Sequence, residues 1–89
     1  MQEKVLKPHS LVLDNRKKLS LTGVEDVSGF NEETVSLKTT AGGLIVKGSN
    51  LHISRLDLDT GDVEIEGIIN LLNYTESKSD KGFIQRLLG

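Results

Sequence analysis

Asp62-Val63-Glu64-Ile65-Glu66-Gly67 decides the fold class: apolar and charged side chains alternate residue by residue, and the run closes on a glycine. Successive side chains of a β-strand point to opposite faces, so such a run offers one face to a core and one to water. Period 2 outcompetes the helical period of 3.6 here. Working outward, the same alternation recurs. Leu51 and Ile53 alternate with His52 and Ser54, and Val35 and Leu37 with Thr34, Ser36 and Lys38. Leu19 and Leu21 alternate with Ser20 and Thr22, and Leu11 and Leu13 with Ser10, Val12 and Asp14. The exception is Leu44-Ile45-Val46, apolar at every position. That run suits a central strand covered on both sides, or one covered by a partner subunit. Leu44, Ile45 and Val46 are therefore candidate self-association residues.

Turn signals punctuate these runs at short intervals. Asp14-Asn15-Arg16-Lys17-Lys18 is a polar connector, Asn31-Glu32-Glu33 follows Phe30, and Thr40-Ala41-Gly42-Gly43 is a glycine-rich reversal. Asp59-Thr60-Gly61 suits a type I turn with Gly61 in the left-handed region. The reading is seven strands, near 9–14, 18–23, 25–30, 33–40, 43–48, 50–57 and 62–73, with each adjacent pair an antiparallel hairpin. Leu21-Thr22-Gly23, Val46-Lys47-Gly48 and Ile65-Glu66-Gly67 form an internal echo, apolar-polar-glycine. Glycine within or ending a strand marks a bulge or bend. Three bends would curl an antiparallel meander into a small sandwich or open barrel. A β-solenoid ranks lower because the spacings of the echo are unequal.

The totals fit this picture. Eighty-nine residues make one domain, and a domain of this size hides only roughly 60% of its unfolded chain's surface. Phe30, Tyr74 and Phe83 are the only aromatics, so Val, Ile and Leu must fill a thin core. Association often supplements a core this small, and a homo-oligomer is expected. Cysteine is absent, which excludes disulfides and thiolate metal sites and points to the cytoplasm. No apolar run approaches the roughly 18–20 residues that span a bilayer, and the polar start, Met1 to Pro8, is not a signal peptide. Net charge is −2 but uneven: +3 over residues 1–18, −6 over 19–75 and +1 over 76–89. An acidic body argues against nucleic acid as the main partner.

Candidate chemistry is sparse. His9 and His52 are the only imidazoles and lie far apart, which is a weak basis for a metal site, so both read as surface histidines. Asp57, Asp59 and Asp62 surround a glycine, but the calcium-loop frame fails because its fifth position is Gly61 and its twelfth is Ile68. Glu64 and Glu66 read as a charged outer face rather than a glycosidase pair, which needs a deep cleft. No serine sits in a nucleophile elbow, and no helix follows Gly42-Gly43 to cradle a phosphate. Arg16-Lys17-Lys18, with Lys4 and Lys7, is a small basic patch without the aromatics that stack on RNA. No catalytic residue, metal or cofactor is expected.

From Thr75 the alternation stops. The organisation is an N-terminal arm, 1–8, an all-β domain, 9–75, and a flexible linker with a short amphipathic tail, 76–89. Phe83 with Leu87 and Ile84 with Leu88 stand four apart, one face of a short helix. Phe83, Ile84, Arg86, Leu87 and Leu88 are the candidate hook for a partner groove or a membrane surface.

The ordered series of pieces is distinctive. It runs Leu11-Val12-Leu13-Asp14-Asn15-Arg16, Leu19-Ser20-Leu21-Thr22-Gly23-Val24, Phe30-Asn31-Glu32, Gly43-Leu44-Ile45-Val46-Lys47-Gly48, then Leu56, Leu58, Gly61, Glu64, Gly67 and Tyr74, and closes on Gly82-Phe83-Ile84-Gln85-Arg86-Leu87-Leu88. Over nearly the whole chain it resembles the YabP family of sporulation proteins, with the YqfC branch sharing the pattern. The resemblance implies a non-enzymatic role in endospore formation, without cofactor, in the cytoplasm or at the forespore-facing membrane. It also implies sporulation proteins as partners, and a multi-pass membrane protein, YabQ, encoded close by in such genomes. Two other functional readings remain: an enzyme with a shallow site between subunits, and a weak nucleic-acid binder using the N-terminal basic loop.

Overall fold

The computed structural model describes residues 7–75. They form six strands: β1 (Ser10–Asp14), β2 (Lys18–Thr22), β3 (Val24–Phe30), β4 (Thr34–Thr39), β5 (Gly42–Asp57) and β6 (Asp62–Thr75). All pair antiparallel in one open sheet of order β1-β2-β6-β5-β4-β3. The all-β expectation is met, and the antiparallel ladders rule out a solenoid.

Two expectations need correction. The segments 43–48 and 50–57 are not separate strands. They are one sixteen-residue strand, β5, because β6 keeps pairing across the interruption, from Gly43 opposite Thr75 to Asp57 opposite Asp62. Nor do all neighbours in sequence pair. β2 turns away from β3 and lies against β6, with Leu19 opposite Ile65 and Leu21 opposite Val63. The chain leaves β2 through Gly23, at φ 71°. Val24 N–H then donates to Gly61 O (3.0 Å) and Thr40 N–H to Gly23 O (2.9 Å). This crossover ties together the turns that close the β4–β5 and β5–β6 hairpins.

The long β5–β6 hairpin is the spine. Its turn-side half carries β2 and β1 on the β6 edge, and its open-end half carries β4 and β3 on the β5 edge. Between the halves the register slips, from Lys47/Gly48 to Ser49/His52. Gly48 and Gly67 occupy this bend. A Cβ at Gly48 would sit 1.8 Å from Ile68 O, and one at Gly67, already at φ 133°, 2.5 Å from Asn50 O. Only glycine lets the two backbones approach this closely.

Bending a ladder strands N–H groups that must find partners elsewhere. Here the two outer hairpins supply them. Gly67 and Ile69 N–H donate to Lys17 O (3.2 Å) and Arg16 O (2.9 Å), while Gly48 and Leu51 N–H donate to Glu33 O (3.0 Å) and Glu32 O (2.8 Å). The arrangement is approximately two-fold symmetric. Leu19 opposite Ile65 matches Val35 opposite Val46, and Leu21 opposite Val63 matches Leu37 opposite Leu44. Two members of the apolar-polar-glycine echo, ending at Gly48 and Gly67, are these mates; the third, ending at Gly23, is the crossover.

Both halves curl around one core. Leu19, Leu21, Val35, Leu37, Leu44, Val46, Leu51, Val63, Ile65 and Ile69 are buried together, with Leu11, Leu13, Val27, Ile53 and Leu72 packed at its margin. Each aliphatic side chain buried in full contributes about 1.5–3 kcal/mol. The one buried polar side chain among the described residues, Thr39, is satisfied: its hydroxyl donates to Gly42 O (2.7 Å) and accepts from Ala41 N–H (3.0 Å).

Candidate functional site

The outward face of the first half is polar. Ser20, Glu64, Glu66 and His52 share it by register. Lys18 Nζ lies 3.9 Å from Glu64 Oε1, and His52 Nε2 lies 3.5 Å from Glu66 Oε1. Exposed pairs of this kind contribute little, about 0–1 kcal/mol each. Glu66 faces solvent, and the half-buried Glu64 lines a shallow depression with Ser20, Thr22, Arg55 and Asp62.

The Asp57–Asp62 turn is a self-satisfied hairpin tip. Asp57 Oδ1 accepts from the Asp59 and Thr60 amides (3.2 and 3.3 Å), and Thr60 Oγ1 donates to Asp62 Oδ2 (3.0 Å). Gly61 N–H closes the turn on Asp57 O (2.8 Å), with Gly61 at φ 86° in the left-handed region as its sequence context suggests. Among the described residues no three His, Asp or Glu side chains converge as metal ligands would.

Leu44, Ile45 and Val46 lie in β5, whose backbone is paired on one side with β4 and on the other with β6. Leu44 and Val46 are buried in the chain's own core. Only Ile45, half-buried on the opposite face, retains side-chain surface. Phe83, Ile84, Arg86, Leu87 and Leu88 lie outside the described residues.

Sequence reasoning missed the seam between β1 and the second half of β6. β2 covers β6 only from Val63 to Glu66, so the outer edge of β6 beyond the bend has no strand beside it. Arg16 reaches across one end, Nε donating to Ile69 O (3.1 Å) and Nη2 to Asn70 Oδ1 (2.7 Å). His9 pins the other end, Nδ1 to Thr22 O (2.8 Å) and Nε2 to Tyr74 Oη (2.6 Å), with the two rings edge to face. A carbonyl only accepts, so Nδ1 carries the proton. His9 is therefore a half-buried clamp and not an ordinary surface histidine. Between the pins, Leu13, Arg16, Ile69, Asn70, Leu71 and Leu72 line a shallow cleft.

The basic and acidic turns, both legible in the sequence, are carried to opposite edges of the sheet by the β2–β6 crossover. Arg16, Lys17 and Lys18 close β1–β2, whereas Asn31, Glu32 and Glu33 close β3–β4. All five charged side chains are exposed.

The ordered landmarks of this small curled antiparallel sheet match a known family. The YabP family model matches residues 5–81, and the chain belongs to that family. Spore protein YabP of Bacillus subtilis (strain 168) is 37% identical over 82 residues, covering 89% of this chain and 82% of that relative.

Proposed function

We propose that this chain serves endospore formation as a non-catalytic assembly protein that associates with itself and with a protein or membrane surface. The observation that carries the reading is the likeness to Spore protein YabP along most of both chains. The described surface supports binding over chemistry, because most of its carboxylates lie on solvated strands and turns, His9 holds structural contacts and His52 stands exposed beside Glu66. Residues 82–89 serve as the hook, with Phe83, Ile84, Leu87 and Leu88 as apolar contacts and Arg86 for anionic groups. A short apolar hook binds weakly, and several hooks on one oligomer raise avidity. The protein acts in the cytoplasm of the sporulating cell and at the forespore-facing membrane. Among the described residues no helix is long and apolar enough to cross a membrane, and the contact we propose is peripheral.

Removing the gene from an endospore-forming host tests the role. Fewer heat-resistant spores, restored by the full chain, are expected; an unchanged spore count contradicts it. Liposome flotation with and without residues 82–89 tests the hook, and identical behaviour of the two forms removes it.

A further inference from the structure

The approximate two-fold that relates the halves also relates two seams. One, between β1 and the second half of β6, is pinned by Arg16 and His9. Its mate lies between β3 and the second half of β5. Val24 N–H on Gly61 O ties one end of β3 to the β5–β6 turn, and Leu51 N–H on Glu32 O ties the other end to the bend. No ladder joins β3 to β5 between these ties. The mate lacks both pins. Glu32 stands where Arg16 does, since Leu51 N–H bonds Glu32 O as Ile69 N–H bonds Arg16 O, and an ionised carboxylate cannot donate to a carbonyl. Leu56, opposite Val63, stands where Tyr74 does, opposite Leu44, and has no hydroxyl to hold. Phe30, opposite Val35, takes the place of Leu13, opposite Leu19. Register puts Phe30 and Leu56 on the core face, yet they are 49% and 52% exposed, on the same face as the half-buried Val27 and Ile53.

Apolar side chains exposed together on a core face mark a surface that another segment covers. The rim of this one is acidic. Glu25 and Asp26 stand at the start of β3 and Glu32 and Glu33 just past its end, all exposed and in no ion pair among the described residues. Lys7 meets the start of β3 only through Asp59 O and Thr40 Oγ1, and Arg55, opposite Glu64, faces away from the core. Two such rims repel, so one seam does not cover another. The chemistry that fits is apolar and basic, and the chain carries it in residues 81–89: Phe83, Ile84, Leu87 and Leu88 with Lys81 and Arg86, and no acidic side chain. The tail starts after Thr75, beside the pinned seam and three strands from β3. Its origin and its complement thus lie at different seams, which suits a contact between copies. We infer that the self-association in the proposed function, on which this inference rests, seats residues 82–89 of one copy in the β3–β5 seam of the next. The apolar side chains cover Phe30 and Leu56, and Arg86 meets the acidic rim. Such a contact uses two different patches and, if it does not close into a ring, grows open-ended assemblies.

Sedimentation velocity on the full chain tests this with two variants and their mixture. The hook variant carries Phe83→Ala and Leu87→Ala; the seam variant carries Phe30→Ser and Leu56→Ser. A urea titration confirms that each stays folded, and Glu32→Lys with Glu33→Lys replaces the seam variant if it does not. The wild type grows in mass with concentration. Each variant alone associates roughly tenfold or more weakly, the scale of two apolar side chains lost from a contact. An equimolar mixture stops at a one-to-one dimer, because it holds one sound hook and one sound seam, on different chains. Either variant alone associating like the wild type, or a mixture that stays monomeric or grows past the dimer, overturns the hook-in-seam contact while leaving self-association standing. A wild type that stays monomeric at every concentration removes the self-association reading itself, and this contact with it.

Discussion

The β1–β2 hairpin on the first half of β6 and the β3–β4 hairpin on the first half of β5 are two versions of one design. Both place a pair of apolar residues, Leu19 and Leu21 or Val35 and Leu37, opposite a pair on the spine. Each also lends two turn carbonyls to the N–H groups stranded at the bend. They differ in what lies outside the core. The first half has a basic turn, an edge strand paired without register shifts and a seam pinned by Arg16 and His9. The second has an acidic turn and an edge broken by two bulges. The shared part is what folding requires, and the divergent part is where the surface acquires polarity.

The comparison breaks most severely at the bend. Gly48→Ala drives a Cβ into Ile68 O, and Gly67→Ala combines a backbone clash with a left-handed φ. Each should cost about 3 kcal/mol or more, enough to lower the midpoint of a urea titration well below that of the wild type. If both variants unfold near the wild-type midpoint, the close crossing of β5 and β6 is wrong. Next are the mated leucines. Leu21→Ala and Leu37→Ala remove equally buried side chains at equivalent positions and should each cost about 2–5 kcal/mol. Their costs should agree within about 1 kcal/mol; a much larger gap means that the halves do not share one core.

Smaller effects mark the asymmetry. Arg16→Ala leaves Ile69 O and Asn70 Oδ1 without their donor and should cost about 1 kcal/mol. Glu32→Ala, whose side chain forms no ion pair among the described residues, should stay within about 0.5 kcal/mol of the wild type. Equal losses from the two variants in thermal unfolding would deny the seam its pin. Tyr74→Phe removes the partner of His9 Nε2 and should cost about 0.5–1.5 kcal/mol, with the increased exchange at the His9 end of β1.

Much of the fold was legible from periodicity. Every alternating run became strand, and Leu44-Ile45-Val46, apolar throughout, became a strand with neighbours on both sides. The glycine echo located the bend. What escaped was long-range. Alternation fixes which face a residue presents but not which strand lies beside it, so the β2–β6 pairing and the continuity of β5 across Gly48 were invisible. His9 and Arg16 were misjudged for the same reason. Their partners, Tyr74, Ile69 and Asn70, stand more than fifty residues away, and no local pattern announces them. The opposite turns were visible as Arg16-Lys17-Lys18 and Asn31-Glu32-Glu33, yet only the sheet order places them on opposite edges.

Backbone nuclear Overhauser contacts on the full chain test this pairing without altering a residue. Cross-strand contacts joining Lys18–Leu21 to Val63–Glu66, in the register Leu19 to Ile65 and Leu21 to Val63, are the predicted result. Contacts joining β2 to β3 as a simple hairpin instead would contradict it.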